Sequence, residues 1–519
     1  MDNFSASLRI TKSAVAGTGG VVAAQHRRAA EVGARVLAEG GDAVDAAIAT
    51  SFALGVLEPW MSGIGGGGAM VLYRAAEGRY SVIDFGMRAP VSLDTADYAV
   101  TGEGVASDLF PWARVRDDRN IHGPFSLAVP GVVDGMRIAH ERHATRAWRD
   151  LVAPAVKLAE EGLLVDWVTT QNIASAAADL QRYPAAREAY LVNGLPPVPA
   201  WSARTELRLP QETLAHTLRH LGEAGPRDFY EGELARRIAG EVQALGGRLS
   251  VQDLEAYRAR ECDPRLIEYR GARVVATPEL TAGPTLAHAL ALLGASLQPG
   301  IAPGPDTYVA YATALQEAYG FRLARMGDVD GARAPGCTTH FCVADRHGNI
   351  VSVTQTLLSI FGSRVNLRDT GVLMNNGIMW FDPEPGRPNS LGAGKRCLTN
   401  YCPVIGEHGG RRFATGASGG RRILPAVLQL LSFLVDFGDD PETAMQRPRI
   451  DASEGALVIG DTALEPAVHA ALGERFEYVQ RHRLAMPMKF ACPSLVLLDG
   501  GVVAGVTETG STWADAVCA

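Results

Sequence analysis

The sequence predicts an α+β fold, because the kinds of elements it favours change along the chain. Helical patterns punctuated by glycine and proline dominate the residues up to Arg322. A strong alternating pattern, typical of strands, begins at Thr338. Helix-rich and hairpin-rich regions follow one another without an internal repeat. An α+β or layered α/β architecture is therefore expected.

Two helices and a hairpin are predicted near the N terminus. Asp42 is the expected N-cap of the second helix, because its carboxylate can accept hydrogen bonds from the first backbone N–H groups. Two glycines end the first helix, and the second ends near a proline. The predicted spans are the helices His26–Glu39 and Ala43–Leu57 and the strands Ala69–Tyr73 and Tyr80–Asp84.

The middle of the chain is predicted to be mainly helical. Ser250 and Asp253 resemble a capping box, with a hydroxyl at the cap and a carboxylate three residues later. Gly331–Gly336 is predicted to be a flexible loop. The other predicted spans are the helices Ala153–Glu161, Leu214–Leu221, Leu286–Leu293, Thr307–Arg322 and Ile423–Leu434, a helix, turn and helix from Val242 to Arg258, and a strand at Val274–Thr277.

The composition argues against several function classes. The 519 residues carry a net charge of -8, which disfavours nucleic acid or an anionic membrane as the main partner. Residues 1–20 lack the apolar core of a secretory signal, and the apolar stretch Ile423–Leu434 is too short to span a bilayer. Seven cysteines without a CxxC pair indicate neither a disulfide framework nor a zinc site. We expect a cytoplasmic protein that uses no metal and no cofactor.

Two threonines are predicted to face each other across a hairpin. The segment Thr338–Thr356 contains two strand patterns around a short turn in which Gly348 adopts the left-handed conformation. Opposed residues of an antiparallel pair keep a constant sum of residue numbers. Asp345 and Asn349 at the turn have the same sum, 694, as Thr338 and Thr356. This register places the backbones of the two threonines roughly 5 Å apart. A cross-strand pair that only packs is the simpler interpretation.

The position of Thr338 favours a chemical role. It begins a strand directly after the predicted flexible loop, where the chain could be cut after Cys337. A freed α-amino group has an ordinary pKa of about 8 and would lie on the same residue as the hydroxyl that it activates. Thr356 could hold that hydroxyl in place. His340 is interpreted as a structural residue.

A glycine pair supplies the second part of the candidate site. Gly419 and Gly420 precede the predicted helix Ile423–Leu434, at a position where backbone N–H groups lack helical partners. Those groups could donate to a developing oxyanion. An ordinary glycine turn is the alternative.

These motifs closely resemble the gamma-glutamyltransferase family. The resemblance runs in order from about residue 15 to residue 510. Its motifs are Gly41–Ala49, Leu57–Gly68, Ser126–Gly131, the segment that begins at Thr338, Gly394–Arg396 and Gly416–Arg422.

The resemblance implies a four-layer αββα N-terminal-nucleophile hydrolase fold and a self-cleaving precursor. Residues 1–337 would form the large subunit and residues 338–519 the small one. The two would stay together as a heterodimer, with a dimer of heterodimers left open. By motif, Thr338 is the nucleophile, Thr356 its hydroxyl partner, and Gly419 and Gly420 the oxyanion hole.

The sequence departs from the family at the positions that bind the gamma-glutamyl group. Nonpolar residues or glycine replace polar ones at Gly86, Leu358, Gly377 and Trp380, and the paired serines are Thr399 and Asn400. An unpaired substrate ammonium in such a pocket would cost several kcal/mol, which argues against gamma-glutamyl binding. Arg88 and Asn400 could hold a carboxylate, although Arg88 could equally be structural.

The expected substrate is therefore a small amide that carries a carboxylate and no amine. Within the family, the chain resembles the oxamate amidohydrolases of purine breakdown. Gamma-glutamyl and glutaryl (cephalosporin acylase-like) amides are the alternatives.

Rival functions find less support in the sequence. The glycines of Gly63–Gly68 match a dinucleotide-binding fingerprint, but a predicted helix precedes them and a strand follows, the reverse of the required order. A binding protein that has lost catalysis is the non-enzyme alternative. The intact set Thr338, Thr356, Gly419 and Gly420 argues against it.

Overall fold

The computed structural model describes residues 10–106, 112–202, 204–322, 326, 337–484 and 488–519. The predicted loop Gly331–Gly336 lies outside these ranges. The helices are α1 Arg27–Ala38, α2 Ala43–Leu57, α3 Val132–His143, α4 Trp148–Glu161, α5 Trp167–Leu180, α6 Pro184–Tyr190, α7 Glu212–Ala224, α8 Asp228–Glu231, α9 Glu233–Ala244, α10 Val251–Ala256, α11 Gly283–Ser296, α12 Pro305–Arg322, α13 Ile423–Val435, α14 Pro441–Gln446 and α15 Pro466–Arg475.

The strands are shorter and more evenly spread along the chain. They are β1 Val15–Gly17, β2 Gly20–Ala24, β3 Gly67–Arg74, β4 Arg79–Phe85, β5 Val100–Val105, β6 Ala113–Val115, β7 Leu163–Leu164, β8 Arg208–Leu209, β9 Arg260–Cys262, β10 Arg265–Tyr269, β11 Ala272–Ala276, β12 Cys337–Asp345, β13 Ile350–Leu358, β14 Val404–His408, β15 Arg411–Ser418, β16 Ile450–Glu454, β17 Leu457–Asp461, β18 Glu477–Arg481, β19 Cys492–Asp499, β20 Val502–Thr507 and β21 Asp515–Cys518.

Two seven-stranded antiparallel sheets form the centre of the molecule. Sheet I has the order β21-β2-β12-β13-β3-β4-β9, and sheet II has the order β1-β20-β19-β15-β14-β11-β10. Both sheets mix strands from before and after residue 337. The hairpin β12–β13 occupies the middle of sheet I, between β2 and β3.

Three apolar layers show how the sheets and helices stack. One layer packs α1–α4 onto the outer face of sheet I, and another packs α11–α13 onto the outer face of sheet II. The third lies between the sheets and contains Val21 and Cys342 of sheet I with Val275 and Val496 of sheet II. This order of layers confirms the αββα sandwich.

The strongest local predictions are confirmed. Helix α2 has the predicted bounds, and Asp42 caps it by accepting from Val44 N and Asp45 N. The Ser250–Asp253 capping box is present at the start of α10. The hairpin β3–β4 and the helix α13 are also where the sequence places them.

The glycine-rich loop is a packing feature rather than a nucleotide-binding one. Helix α2 precedes it and β3 follows it, as predicted. A Cβ atom at Gly66 would collide with the carbonyl oxygen of Thr356, and one at Gly68 with that of Thr354. The glycines therefore let this segment approach β13 closely. No helix in the described ranges has the length and apolar character that crossing a membrane requires.

Candidate active site

The hairpin β12–β13 follows the predicted register over most of its length. Thr339 pairs with Gln355, and the pairing continues in step to Ala344 and Ile350. Gly348 has a φ of +84°, the left-handed conformation that the turn requires. The backbone prediction is therefore confirmed for this part of the hairpin.

The register shifts where the two catalytic candidates lie. Cys337 faces Leu358, so β13 contains one more residue than β12 between this pair and Thr339–Gln355. This bulge places Thr356 and Leu357 opposite Thr338, and Leu358, directly after it, has a φ of +87°. Thr338 is thus not paired with Thr356 in a regular ladder, which corrects the simple prediction. The two Oγ1 atoms nevertheless lie 3.4 Å apart, and both side chains are buried.

Thr356 is fixed by its own surroundings. Its Oγ1 accepts a hydrogen bond of 2.8 Å from the backbone N–H of Leu358, which the bulge turns toward it. On the other side its backbone pairs with Gly67 of β3. The Thr356 hydroxyl is therefore held at a defined position beside Thr338 Oγ1.

The face of the hairpin that points away from sheet II contacts α2. Gln355 bonds Ser51 and Ser62, and Thr339 Oγ1 donates to Glu58 Oε2 at 3.1 Å. Glu58 is buried, and this burial raises the pKa of its carboxyl to about 7. The first residues of β12 are thus tied to the end of α2 by a carboxyl group that titrates near neutral pH. Glu58 was not predicted as a functional residue, although an acid directly after the apolar helix Ala43–Leu57 is a visible signal in the sequence.

Glu58→Gln should change how stability depends on pH. The folded pKa of about 7 exceeds the ordinary value of 4.5, so the folded state holds a proton that the unfolded state has lost between these values. This contribution is fully present below pH 4.5 and is lost as the pH rises through 7. Across that window the free energy of unfolding of the wild type should therefore fall by up to about 3 kcal/mol relative to that of Glu58→Gln. Melting temperatures of both proteins from pH 5 to pH 8 measure the difference. A difference that is constant with pH would contradict the burial argument.

His340 is a structural residue, as expected. Its ring lies between the two sheets, where Nδ1 contacts Thr354 Oγ1 at 3.0 Å and Nε2 contacts Cys342 Sγ at 3.2 Å. A Cβ atom at Gly416 of sheet II would collide with the ring. Burial lowers the pKa of His340 to about 3, so the ring stays neutral and fills the core.

The glycine turn lies at the same end of the sheets as Thr338. Contacts between the sheets show the direction of β15 relative to β12. Ser352, which pairs with Cys342, donates to the carbonyl of Thr415. The next residue of β15, Gly416, packs on His340, which lies nearer the start of β12. Two residues further along β15, Ser418 Oγ accepts from Gln25 Nε2. The strand therefore ends level with the first residues of β12.

The backbone of this turn requires glycine. Gly419 and Gly420 have φ values of +134° and +62°, and α13 begins three residues after Gly420. A Cβ atom at Gly419 would lie 3.0 Å from the Cα of Ala491. Two successive peptide N–H groups at the start of a helix form a natural oxyanion donor pair.

The residues expected to bind substrate fall into two groups. Trp380 is buried and meets the ring of Tyr401 edge to face, with centroids 6.2 Å apart. Leu358 belongs to the same apolar cluster. Arg88 instead is exposed, and its Nε donates to the carbonyl of Gly394 at 2.6 Å.

Thr399 and Asn400 are engaged within the protein. Thr399 Oγ1 donates to the carbonyl of Leu280 at 3.2 Å, and Asn400 Oδ1 accepts from the buried Arg322 at 3.1 Å. The bond from Arg322 fixes the orientation of the Asn400 amide, whose nitrogen is the donor that would suit a carboxylate. In the parts of the chain that the structure describes, no group of three His, Cys, Asp or Glu side chains could hold a metal ion.

Comparison with known proteins agrees with this geometry. The model of the gamma-glutamyltranspeptidase family matches residues 29–337 and 332–509. An acylase ACY 1 proenzyme of Pseudomonas sp. (strain SE83) is 31% identical over 511 residues, covering 91% of this chain and 90% of the relative. A glutathione hydrolase proenzyme of Bacillus subtilis (strain 168) is 31% identical over 489 residues, covering 84% and 81%.

A solved structure extends the similarity to the whole fold. The crystal structure of a cephalosporin acylase from Bacillus halodurans superposes with a TM-score of 0.87 at 25% identity, over 100% of this chain and 99% of that one. The match covers both sheets and the helical layers outside them. The chain belongs to the gamma-glutamyltranspeptidase family and has the fold of the amide-cleaving N-terminal-nucleophile hydrolases.

Proposed function

We propose that this protein is an amide hydrolase that cuts its own chain before Thr338 and then uses Thr338 Oγ1 as its nucleophile. The observation that carries the proposal is the pair of buried hydroxyls, 3.4 Å apart, at the first residues of β12. The bulge and the Leu358 N–H define the position of the second hydroxyl. A pair that only stabilised the hairpin would not require this departure from the regular ladder.

Self-cleavage would use the same hydroxyl. Thr338 Oγ1 attacks the carbonyl carbon of Cys337, and the C–N bond breaks as an ester forms and the nitrogen takes up a proton. Water then hydrolyses the ester, which leaves a carboxyl group on Cys337 and a free α-amino group on Thr338. That amine is a base with an ordinary pKa of about 8, positioned beside the hydroxyl that it serves.

Turnover would use the freed residue in two steps. The amine accepts the proton of Oγ1 as the oxygen attacks the substrate amide, and the N–H groups of Gly419 and Gly420 would stabilise the oxyanion. The leaving amine or ammonia takes the proton, and an acyl ester remains on Thr338. Water, activated by the same amine, releases the acid and restores the hydroxyl.

The fragments 1–337 and 338–519 would remain associated after cleavage. In sheet I, β12 and β13 lie between β2 and β3, and in sheet II the strands of the two fragments are again neighbours. Separation would break the ladders and expose the layers between and outside the sheets. One native heterodimer is therefore expected.

The substrate proposal is a small amide that carries a carboxylate, with oxamate as the specific candidate. It rests on the cluster in which Leu358 and Trp380 lie, where nonpolar groups stand in place of polar ones. Arg88 and the amide nitrogen of Asn400 remain the candidates for the carboxylate. A glutaryl amide is the second candidate, favoured by the similarity to the two acylases over nine-tenths or more of the chain.

The cleaved enzyme should discriminate strongly among amides. We expect kcat/KM for glutathione to be at least tenfold below that for the better of oxamate and a glutaryl amide, because the pocket cannot pair the glutathione ammonium. The measurement is kcat/KM for all three on one preparation. A tenfold preference for glutathione would refute the pocket interpretation, and a preference for the glutaryl amide would replace oxamate.

A further inference from the structure

The hydroxyl of Tyr401 is a buried polar group without a hydrogen-bond partner among the described residues. The side chain is 1% exposed. Buried tyrosine hydroxyls normally find a partner, since leaving one unpaired costs free energy. Several other buried tyrosine hydroxyls have a partner within the protein. Tyr308, for example, donates to the carbonyl of Pro448 at 2.8 Å.

Tyr401 lies among the positions at which the chain departs from its family. Its ring packs against Trp380, and both belong to the cluster that contains Leu358 and Met87. Cys397, a member of the same cluster, donates from Sγ to the carbonyl of Gly377 at 3.3 Å. Gly377 is another of the positions that differ from the family.

The cluster reaches the candidate nucleophile through Leu358. The backbone N–H of this residue donates to Thr356 Oγ1, while its side chain packs in the cluster. The carbonyl of Tyr401 accepts from Ala282 N at 3.0 Å, so its backbone is anchored. The unpaired hydroxyl is therefore held in the apolar cluster that also contains Leu358, the residue whose N–H bonds Thr356.

The hydroxyl can act only as a neutral group at working pH. Burial, reinforced by nearby Cys397 and Asp84, holds the pKa of Tyr401 well above its ordinary value. A protonated phenol offers one O–H donor. Among the described residues none accepts a hydrogen bond from this phenol, so the donor is free for an acceptor on a ligand.

We infer that Tyr401 determines substrate specificity by donating a hydrogen bond to an acceptor oxygen at the far end of the acyl group. The inference deepens the proposed function and rests on it. The substrate class is an amide whose acyl chain ends in a carboxylate or carbonyl oxygen rather than in a methyl group. Trp380 and Leu358 contact the carbon chain, and the phenol distinguishes its end.

The test uses Tyr401→Phe with two anilides of equal chain length. Glutaryl 4-nitroanilide ends in a carboxylate and pentanoyl 4-nitroanilide in a methyl group. Tyr401→Phe should lower kcat/KM for the glutaryl anilide roughly 10- to 100-fold and change that for the pentanoyl anilide less than twofold. Its melting temperature without ligand should equal or exceed that of the wild type, because no bond is lost.

Tyr308→Phe is the matched control. It removes a buried hydroxyl that has a partner, so it should lower the melting temperature and leave the ratio of the two kcat/KM values unchanged. Equal losses on both anilides in Tyr401→Phe would overturn the inference, as would no loss on either. A wild type that treats the two anilides alike would also overturn it. In each of these cases a cleaved wild-type enzyme with amide turnover leaves the proposed function standing, whereas an uncut, inactive wild type refutes both.

Discussion

Thr338→Ala is expected to remain a single uncut chain without amide hydrolysis. The substitution removes Oγ1, which is both the group that would attack the preceding carbonyl and the nucleophile of turnover. It should have little effect on the fold, because the side chain makes one described hydrogen bond, to Thr356 Oγ1. A denaturing gel and an ammonia- or amine-release assay measure the two losses.

Thr338→Ser is the informative control. Serine retains the hydroxyl and loses one methyl group, so self-cleavage and turnover should persist at a reduced rate. If Thr338→Ala were cut and active, another residue would be the nucleophile. If both variants were uncut and unfolded, circular dichroism would reveal this, and the serine variant would then report on packing alone.

Thr356→Ala should lower turnover about 100-fold in a folded protein, since a small displacement of a nucleophile has effects of this size. The variant removes the hydroxyl 3.4 Å from Thr338 Oγ1 and leaves the N–H of Leu358 without its acceptor. Both changes loosen the bulge next to the nucleophile. The measurement is kcat for the best small amide, with the extent of cleavage determined on the same sample.

Thr356→Ser retains both hydrogen bonds and should remain within a few-fold of the wild type. The contrast between the two variants separates the hydroxyl from the packing of the β-branched side chain. Unchanged turnover in folded Thr356→Ala would mean that the pair only packs. In that case the simpler interpretation of the hairpin would be correct.

The central hairpin could be predicted because its determinants are local. The turn glycine and the alternation of residues set the register from Thr339 to Ala344, and both can be read from one segment. The same holds for α2, whose capping residue Asp42 lies next to it. Local signals of this kind do not depend on the rest of the fold.

The bulge before Leu358 could not be predicted, because it depends on distant contacts. A leucine gives no sequence signal for a φ of +87°, and the conformation is stabilised by Thr356 and the neighbouring strand. The bond between Asn400 and Arg322 joins residues 78 positions apart, and it fixes the orientation of the Asn400 amide. Such pairings are determined by the tertiary structure.

The order of the layers likewise could not be predicted from the pattern of helices and strands. That pattern supports only an α+β class, and the αββα order was implied by the resemblance to a family. The structure explains the order physically, since residues that alternate along β12 face α2 on one side and sheet II on the other. Tyr401 is distinguished by its burial and by its hydroxyl without a described partner, and both depend on the tertiary structure.

The most direct test of the central claim is the N-terminal sequence of the smaller fragment of purified wild-type protein. The account predicts two polypeptides, residues 1–337 and 338–519, that co-purify and separate only under denaturing conditions. The smaller one should begin Thr-Thr-His, the sequence of residues 338 to 340. A fully active protein that consists of one intact chain, or an active fragment that begins at any other residue, would contradict the account.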